Sequence, residues 1–322
     1  MAIHDLGYRP WSGRRAPWAT RPLIITSIGI RRAWQSRWLR RLMLLSWLPA
    51  IWFGVGFFIW EQSVLNPEWK KILMPYLSEM PQVNQLAAIL ERHDNPDYQR
   101  HAVWAWLLQS FFRYPQGVIM VMSVGLIAPP LISQDVRSRA LLLYFSRPLS
   151  RFEYALGKIA TVWFFLAAIA TLPALALYVL GVFLSPTLEV VLSTWDLPLR
   201  IVGASALLMI PTATLALCIS SMTQESRYAG FAWFATWILG WFTYGALTSV
   251  EGFSSQFADR QVGSPITTWQ HLSLYHTLGQ VQSWVFGFAS FRDSQTSALI
   301  LLVITFVSFV ILMRRIAAPM RA

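Results

Sequence analysis

Six long apolar stretches run along the chain, near residues 42 to 60, 109 to 132, 159 to 184, 200 to 221, 229 to 250 and 297 to 313, and polar residues gather between them. Each has about the 20 residues that a helix needs to cross a bilayer core at 1.5 Å of rise per residue. None alternates polar with apolar positions as the shorter strands of a membrane barrel do, so the pattern predicts helices and argues against a β-barrel. The fold class implied is an all-α polytopic membrane protein with six transmembrane helices over residues 42–313. Residues 1–41 form a lead, 61–103 and 251–296 two large segments on one side, and 314–322 a short tail.

Composition points the same way: 322 residues, 55% hydrophobic and only 13% charged, are not the balance of a soluble domain. Basic residues are unevenly placed. Nine precede the first span, five lie between Arg137 and Lys158, and three follow Met313, whereas the two large loops are poorer in them. The positive-inside rule then sets both termini in the cytoplasm. This asymmetry also accounts for the net charge of +11, so the expected partner of the basic residues is the lipid bilayer and no nucleic acid is expected.

Residues 1 to 22 are polar and contain Pro10, Pro17 and Pro22, so no cleavable signal peptide is expected and the first span serves as its own insertion signal. Residues 23 to 41 read as a helix with Ile24, Ile28, Trp34, Trp38 and Leu39 on one side. This is an amphipathic interfacial helix, either a plain anchor or a functional elbow. Ahead of the second span, Trp104 to Phe112 is expected to dip into the outer interface. Arg113 is then read as a headgroup anchor or as part of a substrate pathway. His271 and His276, five apart, do not fall on one helical face as a metal pair would and read as surface histidines. Cys218 is the only cysteine, so neither a disulfide nor a cysteine metal cluster is expected.

The segment 133 to 158 carries the most information. It predicts a short amphipathic helix from Gln134 to Phe145, a turn at Pro148, and a new helix capped by Ser150 with Glu153 closing a capping box. Arg137, Arg139, Arg147 and Arg151 make this elbow a donor-rich surface, suited to an acidic protein groove or to lipid phosphates.

In order and spacing this segment resembles the permease subunits of type-2 ABC exporters, closest to the subgroup that includes the permease of the nitrous-oxide-reductase maturation exporter. Asp135 matches their acidic position, Leu141 and Leu143 the leucines, Pro148 the proline, Ser150 and Arg151 the Ser-Arg pair, and Gly157 and Lys158 the end of the motif. Arg139 and Ala140 stand where the family has Gly-Thr, and Leu142 where it often has Glu. The run Ser220 to Ala229 resembles the family's second inner turn.

The resemblance implies a cytoplasmic coupling helix seated in a separate ABC ATPase subunit, two permeases (a second copy or a homologous chain) pairing with two ATPases, and a place in the plasma (inner) membrane. The expected interface is Asp135, Arg137, Arg139, Leu141, Tyr144, Phe145, Arg147, Pro148, Ser150, Arg151 and Phe152. The chain itself is expected to be no enzyme and to hold no cofactor, ATP and Mg being bound by the partner. A phosphate loop requires glycine five residues before its Gly-Lys, and Phe152 stands there. Some permease-like chains drive mechanical work on an extracytoplasmic partner instead of carrying solute. A non-transporting scaffold or sensor, or an intramembrane enzyme, are the rival classes.

Overall fold

The computed structural model describes residues 20–66, 68, 69, 71, 86, 90, 95–145, 149–257 and 269–317, with only the backbone of 250–257. Every regular element among the described residues is helical. Five helical segments are long and apolar enough to cross a membrane: Arg37–Leu65, Pro96–Arg137, Arg151–Leu184, Leu197–Met222 and Phe291–Ala317. The expected stretch 229 to 250 lies within a sixth helix, Ser226–Phe257, which has the length at 32 residues. Its Trp, Tyr and Gly dilute the Ile and Leu content and leave it outside those five. Among the described residues five helices thus have both the length and the apolar content to cross, and the sixth stretch has the length.

The lead is more than one helix. α1 (Arg21–Trp34) stops at Gln35, and Ser36 caps α2 (Arg37–Leu45) by accepting from the Leu39 amide, so the expected helix 23 to 41 is broken in two. Ile24, Ile28, Trp34 and Trp38 are exposed, but Leu39 is buried. α1 packs on α7 (Arg151–Leu166) through small residues: a Cβ on Gly29 would sit 2.5 Å from Thr161 Oγ1, and Thr26 Oγ1 donates to the Gly157 carbonyl at 3.1 Å.

α3 (Leu48–Leu65) packs on α8 (Leu172–Leu184). α4 (Pro96–Phe111) runs through a π-helical turn at Phe112–Gln116 into α5 (Gly117–Arg137). Pro115 lies in that turn, where a widened register accommodates the missing amide donor. Trp104 to Phe112, expected at the outer interface, are covered by protein. These residues are among the most buried in the chain, because α3 and α8 cover them and Trp104 stacks edge-on against Phe57 and Tyr178.

After α6 (Ala140–Phe145), α7 and α8 form one span through a second π-turn at Ala167–Thr171. A short α9 (Val190–Ser193) leads to α10 (Leu197–Met222), which packs on both α5 and α13 (Phe291–Ala317). α11 (Ser226–Phe257) lies along α5 with Phe231, Trp241 and Phe242 exposed, and α12 (Leu274–Val285) rests on α13. One buried cluster, around Leu131, Val162, Phe165, Leu217 and Leu312, fills the end near α6. A second, around Phe57, Trp104, Phe111 and Ile201, fills the far end.

Candidate functional site

The elbow after the second span forms, in a different place from that expected. α5 continues to Arg137, so Gln134 to Arg137 belong to the span and not to a separate coupling helix. The break comes at Arg139, whose φ of +53° is left-handed. That conformation crowds Cβ against the carbonyl and costs a non-glycine residue about 1 kcal/mol. α6 then makes only six residues, Ala140–Phe145. Arg147 and Pro148 lie outside the described residues. Ser150 caps α7 as expected: its Oγ accepts from the Glu153 amide at 3.1 Å, and the Glu153 carboxylate accepts from the Ser150 amide at 2.7 Å.

Beneath the elbow lies a buried polar brace. Lys158 Nζ donates to Asp135 Oδ2 and to the Leu131 carbonyl, both at 2.7 Å, and Tyr154 Oη donates to the same Asp135 oxygen at 2.7 Å. Asp135 and Lys158 are 4% and 7% exposed. Two charges removed from water this far must stay paired, because either one alone is costly. Burial of Asp135 and Leu141 within this chain removes both from the outward surface on which the sequence placed them. Their role here is to fix α5, α6 and α7 together.

The aromatic residues of α6 belong to the same unit. Tyr144 and Phe145 lie on the Tyr154 ring, with centroids 5.8 and 6.0 Å apart. Burial pushes the Tyr144 phenol up, and the Asp135 charge adds to it. Arg32 donates to Gln134 Oε1 and ties α1 to α5, and Arg21 lies 3.8 Å from Glu153 across the start of α7. Arg137 pairs with Glu225 at 3.1 Å, linking the elbow to the turn between α10 and α11.

Part of the elbow stays open to solvent. Arg137, Arg139, Leu142 and Ser150 are exposed, Tyr144 is partly exposed and Arg151 half-buried. Phe152 is exposed but turns away, stacking edge-on against Phe309 of α13. Of the expected set, then, Arg137, Arg139, Tyr144, Ser150 and Arg151 are exposed or half-buried at the elbow, Phe152 is exposed beside Phe309, and Asp135 and Leu141 are buried, with Phe145 packed against Tyr154.

The sequence placed Ser220 in the second inner turn but not its contact with α5. Pro129 and Pro130 lie within α5, and Ser220 of α10 reaches the backbone of the turn that Pro129 begins. Its hydroxyl accepts from the Ser133 amide at 3.1 Å and donates to the Pro129 carbonyl at 2.7 Å. This contact joins two spans far apart in sequence, so no local spacing announced it.

The far end is held by other polar links. Arg100 and Trp104 both donate to Glu61 at 3.1 Å, and Asp196 lies within 2.9 Å of His101 and 2.6 Å of Arg200. Burial works to raise the Asp196 carboxyl, but bonds from His101 and Arg200 outweigh it and hold the group below its usual range. His276 departs from the expected surface histidine: it stacks on Tyr244 with centroids 3.7 Å apart, and its Nδ1 is buried. Among the described residues no group of His, Cys, Asp and Glu is arranged to hold a metal ion. Between α7, α10 and α13 an apolar groove of about 570 Å³ runs past Trp163, Pro211, Leu302 and Phe306.

No protein-family model matches this chain, and no curated protein matches it significantly.

Proposed function

We propose that this chain is the membrane subunit of an ATP-driven assembly similar to type-2 ABC exporters, in which a separate ATPase grips the elbow after the second span. In this reading the elbow and both termini are cytoplasmic, the chain lies in the inner membrane, and a second copy or homologous permease completes the assembly. ATP and Mg are bound by the partner. The work done is export or a mechanical task across the membrane.

The supporting observation is the brace under the elbow. A coupling element must pass displacement to the spans without bending, and Asp135, Tyr154 and Lys158 join the end of α5 to the first turns of α7 through buried bonds of 2.7 Å. Tyr144 and Phe145 of α6 rest on that unit, so a push on α6 is carried by both spans. The left-handed Arg139 also fits the resemblance physically. The family has glycine there, and glycine is the residue that adopts positive φ without strain.

Contact with an acidic ATPase cleft falls to Arg137, Arg139 and Arg151, with Arg147 and Ser150 beside them in sequence. Reversing Arg147 and Arg151 to Glu is expected to uncouple ATPase activity from transport or mechanical output while membrane insertion persists. Unchanged coupling and assembly in that variant would overturn the assignment.

A further inference from the structure

Three cations in the bundle have carboxylate partners: Arg100 has Glu61, Lys158 has Asp135 and Arg200 has Asp196. Arg113 is the contrast. It is half-buried in the π-turn of the second span, and no carboxylate among the described residues pairs with it. Its Nη1 donates to the Tyr275 carbonyl at 2.8 Å, its guanidinium carbon lies 4.4 Å from the centroid of the Tyr275 ring, and Tyr275 Oη donates back to the Arg113 carbonyl at 2.9 Å. A guanidinium carries five N–H donors, so most of its capacity is unspent.

The position is built for this side chain. A Cβ on Gly279 of α12 would fall 1.1 Å from Arg113 Nη1, so glycine leaves the notch that the guanidinium fills. Around it stand Tyr114, which is 39% exposed, and the stacked pair Tyr244 and His276. The His276 Nδ1 is a second polar atom there without a partner. A π-turn that aims a cation into such a setting is a common mark of a functional position.

Depth selects the ligand. Arg113 and Asp135 lie on one continuous helix, twenty-two residues apart, which corresponds to roughly 33 Å of rise. A hydrocarbon core is about 30 Å thick. The proposed topology sets Asp135 at one boundary, and Arg113 then falls at the level of the phosphates on the other.

We propose that Arg113, framed by Tyr114, Tyr244 and His276, binds a phosphate group at the far-end membrane boundary. The phosphate belongs to an anionic lipid headgroup or to a free phosphate. Two guanidinium N–H groups match two phosphate oxygens, and phenol and imidazole donors complete the set. Among the described residues no carboxylate closes the site, and the guanidinium donors stay open to an exchangeable anion. The site lies at the opposite end from the elbow and stands whether or not an ATPase binds there.

The test is lipid binding to the purified full chain in detergent, followed by native mass spectrometry with phosphatidylglycerol, phosphatidylcholine or inorganic phosphate. Wild type is expected to retain phosphatidylglycerol or phosphate in preference to phosphatidylcholine. Arg113→Gln is expected to weaken that binding about ten- to a hundredfold, with Arg113→Lys falling between. Phosphatidylglycerol retention identifies a lipid source, and phosphate retention a soluble one. Should Arg113→Gln fail to fold, Gly279→Ala displaces the guanidinium with its charge intact and is expected to weaken binding as well. The proposal is overturned if wild type shows no preference over phosphatidylcholine, or if the folded variants bind as wild type does.

Discussion

Lys158 reaches from the second turn of α7 to Asp135 at the end of α5, 2.7 Å away, and makes two consecutive spans one mechanical unit. Removing one partner leaves the other charge buried and alone. Lys158→Met is therefore expected to cost about 3–5 kcal/mol, seen as a lowered thermal unfolding midpoint in detergent. The double variant Asp135→Leu with Lys158→Met is expected to recover most of that loss. Equal destabilisation of single and double variants would show that packing at the site, and not the charge pair, sets stability.

Arg139 holds a left-handed backbone at φ +53°. Replacing it with glycine is expected to relieve about 1 kcal/mol of steric cost, partly offset by the greater freedom of glycine in the unfolded chain. The check is the unfolding midpoint of Arg139→Gly, which should not fall. A clear drop would mean that the Arg139 side chain contributes more than its backbone conformation costs.

Gly157 lets α1 lie directly on α7, because a Cβ there would sit 2.7 Å from Ile25 Cβ and 2.9 Å from the Pro22 carbonyl. Gly157→Val is expected to push α1 away at a cost of about 1–3 kcal/mol. Limited proteolysis around residues 21–34 should then proceed faster than in wild type. Unchanged cleavage would mean that α1 is held by other contacts.

Burial, reinforced by the charge of Arg113, lowers the His276 imidazole to about 4 from an ordinary 6.5. Between those values the unfolded chain takes up a proton that the folded chain refuses. Stability is therefore expected to fall as pH drops from about 6.5 to 4 and to level off below that. His276→Gln should flatten this part of the profile. Asp196 acts in the same direction at lower pH: its carboxyl is held below 3.8, so its contribution is present above that value and is lost in stronger acid.

Hydrophobic periodicity and the capping box were legible from the chain, since each depends on neighbours in sequence: Ser150 and Glu153 meet as expected. Partners far apart in sequence were not. Asp135 and Arg137 look alike as polar residues before a turn, yet only the first turns inward, toward a lysine supplied by the next span. Lys158 read as one more inner basic residue, and its burial depends on packing between α5 and α7. Trp104 to Phe112 looked interfacial because aromatic content does not say whether lipid or protein will cover it. The sixth stretch shows a related limit: its Trp and Tyr serve a membrane surface and a packed interior equally well.

The central claim, that the elbow is a handle for an external ATPase, is tested most directly by isolating the chain from its native membrane with a photo-crosslinker at Leu142 or Tyr144 and identifying what is captured. The expected result is a separate subunit bearing a phosphate loop, crosslinked from the cytoplasmic side and lost on reversing Arg147 and Arg151. Recovery of no ATPase, or labelling of these positions from the opposite side of the membrane, would contradict it.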